Sequence, residues 1–133
     1  MVNLVQATGK RKTSVARATL KKGSGAILVN NEDYKSYINN EVLELKVTEP
    51  LVLSGFLGKF DIKINVFGGG TNSQADAMRQ AIAKALIEIS GKDDLKKTFL
   101  EYDRSLIIAD TRFKEMKKPN NSHARAKRQK SYR

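Results

Sequence analysis

Three consecutive glycines, Gly68-Gly69-Gly70, stand between an alternating apolar segment and a helical one. Backbone N–H groups in such a turn can cradle a phosphate. The spacing fits neither a P-loop, which needs GxxxxGK[ST], nor a dinucleotide fingerprint with its later acid. A close strand-to-helix crossing is the plainer use of three glycines, and it would also let an RNA backbone approach. Other catalytic sets are thinner. The single histidine, His123, lies in a polar C-terminal stretch that cannot hold Ser–His–Asp geometry, and one histidine makes no HExxH site or facial triad. The absence of Cys excludes disulfides, thiolate catalysis and Cys-ligated zinc or iron–sulfur. Glu32, Asp33, Asp61, Asp76 and Asp110 are scattered. They make a two-metal nuclease only if the fold gathers them, and they serve equally as caps or surface acids. The sequence therefore points to no catalytic residue, no metal and no cofactor.

The cations have a better chemistry. Lys and Arg number 25 against 14 acids, a net charge of +11, and they are segregated. Residues 1–26 carry +6 with no acid, residues 27–110 carry −3, and residues 111–133 carry +8. Two basic ends around a near-neutral body are the electrostatic footprint of a nucleic-acid binder. Lys and Arg neutralise phosphates and release counterions, and the Arg fork adds bidentate grip. The N-terminal candidates are Lys10, Arg11, Lys12 and Arg17. Those of the C-terminal end are Arg112, Lys114, Lys117, Lys118, Arg125, Lys127, Arg128, Lys130 and Arg133. Most of the Phe and Tyr residues fit core positions, so RNA would be read by shape and backbone rather than by stacking. Residues 122–133 hold too little apolar surface to offset the entropy of ordering, and are expected to order only against a polyanion. No apolar run reaches the roughly 20 residues of a membrane span, the tail lacks the apolar stripe of a membrane-surface helix, and Met1–Gln6 shows no secretory pattern. A soluble intracellular protein is the expectation, with an RNA-processing enzyme or a binder of acidic proteins or lipids as rivals.

The elements that must position these cations follow from periodicity. Residues 4–8 and 14–20 read as strands joined by a Gly9-Lys10-Arg11-Lys12 loop, with Arg17 and Thr19 facing away from Ala16, Ala18 and Leu20. Residues 26–29 give a third strand, completing an antiparallel trio. Residues 33–39 suggest a short helix with Tyr34, Tyr37 and Ile38 on one side. Residues 41–53 suggest only helical turns, broken at Pro50. Residues 59–67 alternate cleanly, Phe60, Ile62, Ile64 and Val66 sharing a face. Ser73 then reads as an N-cap partnered by Asp76, opening a helix over about 74–90 that ends at Ser90-Gly91. A second helix runs from Asp93 to about Tyr102, with Leu95, Phe99 and Tyr102 inward. The expected fold class is a two-layer α/β (α+β) body, 1–110, with an antiparallel-rich sheet and helices on one face, followed by a basic tail, 111–133.

Three stretches, GKRKTSVARATLKKGSGAILVNN (9–31), GGGTNSQADAMRQAIAKAL (68–86) and DTRFKEMKKPNNSHARAKRQKSYR (110–133), resemble the universal ninth protein of the small ribosomal subunit. The likeness runs over essentially the whole chain, and the ending QKSYR resembles the archaeal and eukaryotic branch. The resemblance implies the fold of domain two of the fifth small-subunit protein, a structural role in the subunit head on ribosomal RNA, and neighbouring head proteins. It also implies a tail reaching the peptidyl-site tRNA, with no membrane, cofactor or small-molecule substrate involved. By the same resemblance Arg133 is the tRNA contact, supported by Lys130 and Arg128, and the other cations named above face ribosomal RNA together with Arg79. Gly68, Gly69, Gly70 and Gln74 form the signature turn. Where the family commonly has an aromatic and a glycine after two lysines, this chain has Pro119-Asn120, which predicts a stiff, extended tail root.

Overall fold

A computed structural model describes residues 4–132. Strands β1 (Val5–Arg11) and β2 (Ser14–Lys22) form the first hairpin, and β5 (Phe60–Phe67) pairs antiparallel with β2. The remaining strands, β3 (Ile27–Val29) and β4 (Glu32–Asp33), lie beyond β5, so the sheet order is β1-β2-β5-β3-β4. Only β3 and β5 run parallel. The third strand is therefore present but does not join the first two. Alternation specifies a face, not a neighbour, and the helical segment between β3 and β5 is long enough to bring them side by side in parallel.

Helix α1 (Tyr34–Ile38) is as expected, whereas α2 (Glu41–Ser54) is one continuous helix with Pro50 inside it. Pro50 removes the N–H that would reach the Lys46 carbonyl. Burial of Leu43, Val47, Pro50 and Leu51 in the core outweighs that loss, and Asn40 caps the start by accepting from Val42 N–H at 3.0 Å. Helix α3 (Thr71–Ser90) begins three residues before the expected site. Gly70 is its N-cap, and Ser73 sits one turn inside with its Oγ accepting the Gly70 N–H at 3.1 Å. Asp76, rather than closing a cap with Ser73, forms an ion pair with Lys46 at 2.7 Å. Helix α4 (Asp93–Tyr102) buries Phe99 fully, but Tyr102 is exposed and donates its hydroxyl to Glu49 at 2.7 Å.

One sheet face is covered: Ala16, Ala18 and Leu20 of β2 and Ile62, Ile64 and Val66 of β5 meet Met78, Ile82, Ala85 and Leu86 of α3. Helix α2 packs on α3 in turn. Gly9 explains how tightly the layers join, since a Cβ there would stand 2.1 Å from the Ala77 carbonyl oxygen and 2.7 Å from the Ala81 amide. The helix backbone lies directly on the strand. Among the described residues β1 has no strand on its outer edge, and α3 side chains take two of that edge's backbone groups instead. Gln80 accepts the Lys10 N–H at 2.9 Å, and Lys84 donates to the Thr8 carbonyl at 3.3 Å. Burial pulls the Lys84 pKa down, with Lys10 adding like-charge repulsion.

Candidate nucleic-acid interface

The strand register places the first group of cations. Lys10 and Arg11 belong to β1 rather than to a loop, and the hairpin narrows to Lys12-Thr13, where Lys12 adopts a left-handed φ of 52°. Gly9 is thus not a turn residue; it is the point where α3 approaches. On the uncovered sheet face, adjacent strands carry Thr8, Arg17 and Asn65 in one row and Gln6, Thr19, Lys63 and Leu28 in the next. Lys10, Val15 and Phe67 form the row nearest the hairpin end. Arg17 is exposed at the centre, as its alternation requires. Phe67 is 62% exposed, which corrects the assignment of the aromatics to the core, and Phe113 is exposed as well. Lys63 and Phe67 escaped the sequence reading although the signal was there. They occupy the alternate positions of the best-patterned strand, opposite Ile62, Ile64 and Val66.

The glycine turn is a brace. Gly68 and Gly69 have φ of 76° and 66°, and added side chains would meet the Thr13 carbonyl oxygen at 2.5 Å and the Ser14 Oγ at 2.0 Å. Fully buried Ser14 donates to the Gly68 carbonyl at 2.9 Å and lies 2.8 Å from the Ser73 Oγ. Gln74 donates to the same carbonyl at 3.0 Å and accepts from the Tyr37 hydroxyl at 3.0 Å. The signature residues therefore lock β2, β5, α1 and α3 at one corner. Asp61 is also occupied structurally: its Oδ1 accepts the N–H groups of Ser24, Gly25 and Ala26 at 2.8–3.1 Å. The Ala26 and Ser24 amides hold its pKa below the ordinary value.

Arg79 departs furthest from expectation. It is buried, 8% exposed, and its guanidinium donates to Glu49, to Asp103 at 3.0 Å and to the Ser105 hydroxyl at 3.1 Å. Burial opposes its charge, but Asp103 and Glu49 together raise its pKa above the ordinary arginine value. The residue joins α3, α2 and the end of α4, its charge paired with acids from two other elements. Beside it, a polar cleft of about 330 Å³ gathers Arg11, Lys46, Asp76, Asp110 and Arg112. There Arg11 and Arg112 clasp Asp110, the latter at 2.7 Å. The Arg112 side chain first, then its amide and Arg11, hold the Asp110 carboxyl well below the usual carboxylate range. After this clasp the described residues hold no further helix or strand.

Among the described residues the tail has no helix or strand, but it is not simply extended. Pro119-Asn120 makes a turn, with Asn120 at φ 65°, and the chain doubles back so that Asn121 bridges Lys127. Ser122 N–H donates to the Ala126 carbonyl at 3.0 Å. The root expected to be straight is therefore bent, since proline fixes its own φ while asparagine readily takes the left-handed step after it. Glu115, the tail's only acid, closes the bend by accepting from Lys118 at 3.0 Å and Arg125 at 2.8 Å. Lys118 and then Arg125 lower its pKa. Lys114, Lys117, Lys127, Arg128 and Lys130 make no ion pair among the described residues. Arg133 lies outside the described residues. The chain thus presents two sets of accessible cations, one fixed on the open sheet face and hairpin and one strung along the bent tail.

A family model described as ribosomal protein S9/S16 matches residues 9–133. The chain is 45% identical to small ribosomal subunit protein uS9 of Methanococcus vannielii, over 99% of this chain and 100% of that protein. The uS9 proteins of Methanococcus maripaludis and Desulfurococcus amylolyticus are each 46% identical over 99% of this chain, covering 100% and 94% of their own lengths.

Proposed function

Since the chain belongs to the ribosomal protein S9/S16 family, we propose that its two basic ends divide its work as a structural constituent of the small ribosomal subunit in translation. The sheet face and hairpin, with Lys10, Lys12, Arg17 and Lys63, hold ribosomal RNA in the subunit head. Arg112, Lys114, Lys117, Lys118, Arg125 and Lys127 continue that contact along the tail. Arg128, Lys130 and Arg133 reach the tRNA of the peptidyl site. Gly68, Gly69, Gly70, Gln74 and Arg79 brace the body, and Arg11 secures the tail root. The body's kinship with domain two of the fifth small-subunit protein belongs to the same reading.

The observation that carries it is the segregation of cations. Lys10, Lys12, Arg17, Lys63, Lys114, Lys117, Lys127, Arg128 and Lys130 have no carboxylate partner among the described residues, Arg112, Lys118 and Arg125 are paired at the surface, and Arg79 and Arg11 are neutralised inside the fold. Cations left unpaired on a folded surface repel one another, and they favour a polyanionic partner. The test is removal of Ser131–Arg133. Truncated subunits are expected to assemble with full occupancy of the chain and to bind peptidyl-site tRNA more weakly. Failure of the truncated chain to enter subunits would instead make the tail an assembly element.

A further inference from the structure

Helix α2 is apolar on two faces. Leu43, Val47, Pro50 and Leu51 face the core, while Val42, Leu45 and Val52 stand 70%, 65% and 61% exposed on the other side. A helix that only covers a core presents a polar outer face, and one that is apolar all round is ordinarily covered on both sides. These three side chains, with Lys46, Thr48, Glu49, Leu53 and Tyr102, line a groove of about 430 Å³ between α2 and the end of α4. Its wall is fixed in advance. The Tyr102 hydroxyl donates to one Glu49 oxygen at 2.7 Å, and the other Glu49 oxygen accepts from buried Arg79.

The charge around the groove decides what fits it. Helix α2 holds three acids and one lysine within a chain of net +11. Lys46 is paired with Asp76, while Glu41 and Glu44 make no ion pair among the described residues. Glu41 and Glu44, on the same helix beside the lining, disfavour phosphate. Proteins that bind the same RNA carry a basic excess of their own. We propose that this groove docks a neighbouring small-subunit protein through a segment that sets aliphatic side chains against Val42, Leu45 and Val52 and basic side chains against Glu41 and Glu44. The inference rests on the ribosomal role. It adds a third contact surface, on protein rather than RNA, opposite in chemistry to the two basic ones.

The test uses whole subunits assembled with the full chain, carrying a photoreactive benzophenone side chain at Val52 or, separately, at Val42. The expected product is a crosslink to a Lys/Arg-rich peptide of another small-subunit protein. A crosslink to nucleotides, a crosslink to a second copy of this chain, or none from fully incorporated chain would overturn the proposal. Charge variants give an independent reading. Leu45→Lys should speed exchange of the chain off purified subunits roughly tenfold, and Leu45→Glu distinctly less. An RNA occupant would reverse that order. Equal denaturation midpoints for both variants, expected for an exposed position, separate this outcome from misfolding. If the unaltered chain does not sediment with the subunit, the ribosomal reading itself fails, which is seen before any crosslink is sought.

Discussion

The N-terminal hairpin and the C-terminal tail carry similar charge, but they hold it by different means. In the hairpin, Lys10 and Arg17 sit on paired strands whose spacing is set by the sheet, and α3 presses on the strand at Gly9. In the tail, cations hang from a chain secured only by the Asp110 clasp and the Glu115 bend. The first surface meets its partner already ordered, so little conformational entropy is lost on binding. On the proposed reading the second is shaped further by its partner, which lets it follow a path no rigid domain could enter. The same residue types thus make a fixed anchor at one end and an adaptable probe at the other.

The largest expected effect separates the two ends through stability. Gly9→Val pushes a branched side chain into the α3 backbone and should destabilise the body by about 3 kcal/mol or more in a denaturant titration. Truncation after Lys118 should leave the same titration within about 0.5 kcal/mol. A tail deletion that lowered the midpoint as Gly9→Val does would end the distinction.

Next in size is the salt response. Truncation after Lys118 removes five Lys/Arg. The slope of log affinity for RNA against log salt should therefore fall by up to about 3.5, at roughly 0.7 per single-strand phosphate contact. Arg17→Gln on the sheet should lower it by about one unit or less. Equal slopes for the truncated and full chains would mean that the tail beyond Lys118 makes no phosphate contacts.

A smaller effect concerns pH. The folded-state pKa of Asp110 is depressed, so the clasp's contribution is fully present above the unfolded carboxylate value near 4 and lost as the pH falls below it. Asp110→Asn should flatten this acid limb in a pH series of thermal midpoints while leaving the neutral midpoint slightly lower. An acid limb unchanged by the substitution would place the linkage elsewhere.

The smallest effect is at the bend. Glu115→Gln frees Lys118 and Arg125 and should raise RNA affinity a few-fold at low salt, with no change in the body's midpoint. Weaker binding would show that the bend presents the cations better than a loose chain does.

Much of this was legible in the sequence, for physical reasons that differ by element. The alternation over Phe60–Phe67 and the Ser90-Gly91 stop are local signals, and the structure follows both. The identity of β3's neighbour is not local, and neither is the survival of α2 through Pro50, which depends on core packing. Gly9 misled because a glycine made for close approach looks the same in sequence as one made for a turn. Arg79 misled because its acids, Glu49 and Asp103, are 30 and 24 residues away, and no spacing rule links them. Separation of the basic ends was readable from composition. Which cations remain unpaired required the fold.

The way Gln80 and Lys84 close the outer edge of β1 bears on the protein's life before assembly. A free strand edge invites the next copy to add itself, and stacking of that kind leads to fibres. At the opposite edge, β4 is only two residues long and offers little to extend. With two backbone groups of one margin taken by α3 and the other margin only two residues long, both edges offer a further strand less to pair with.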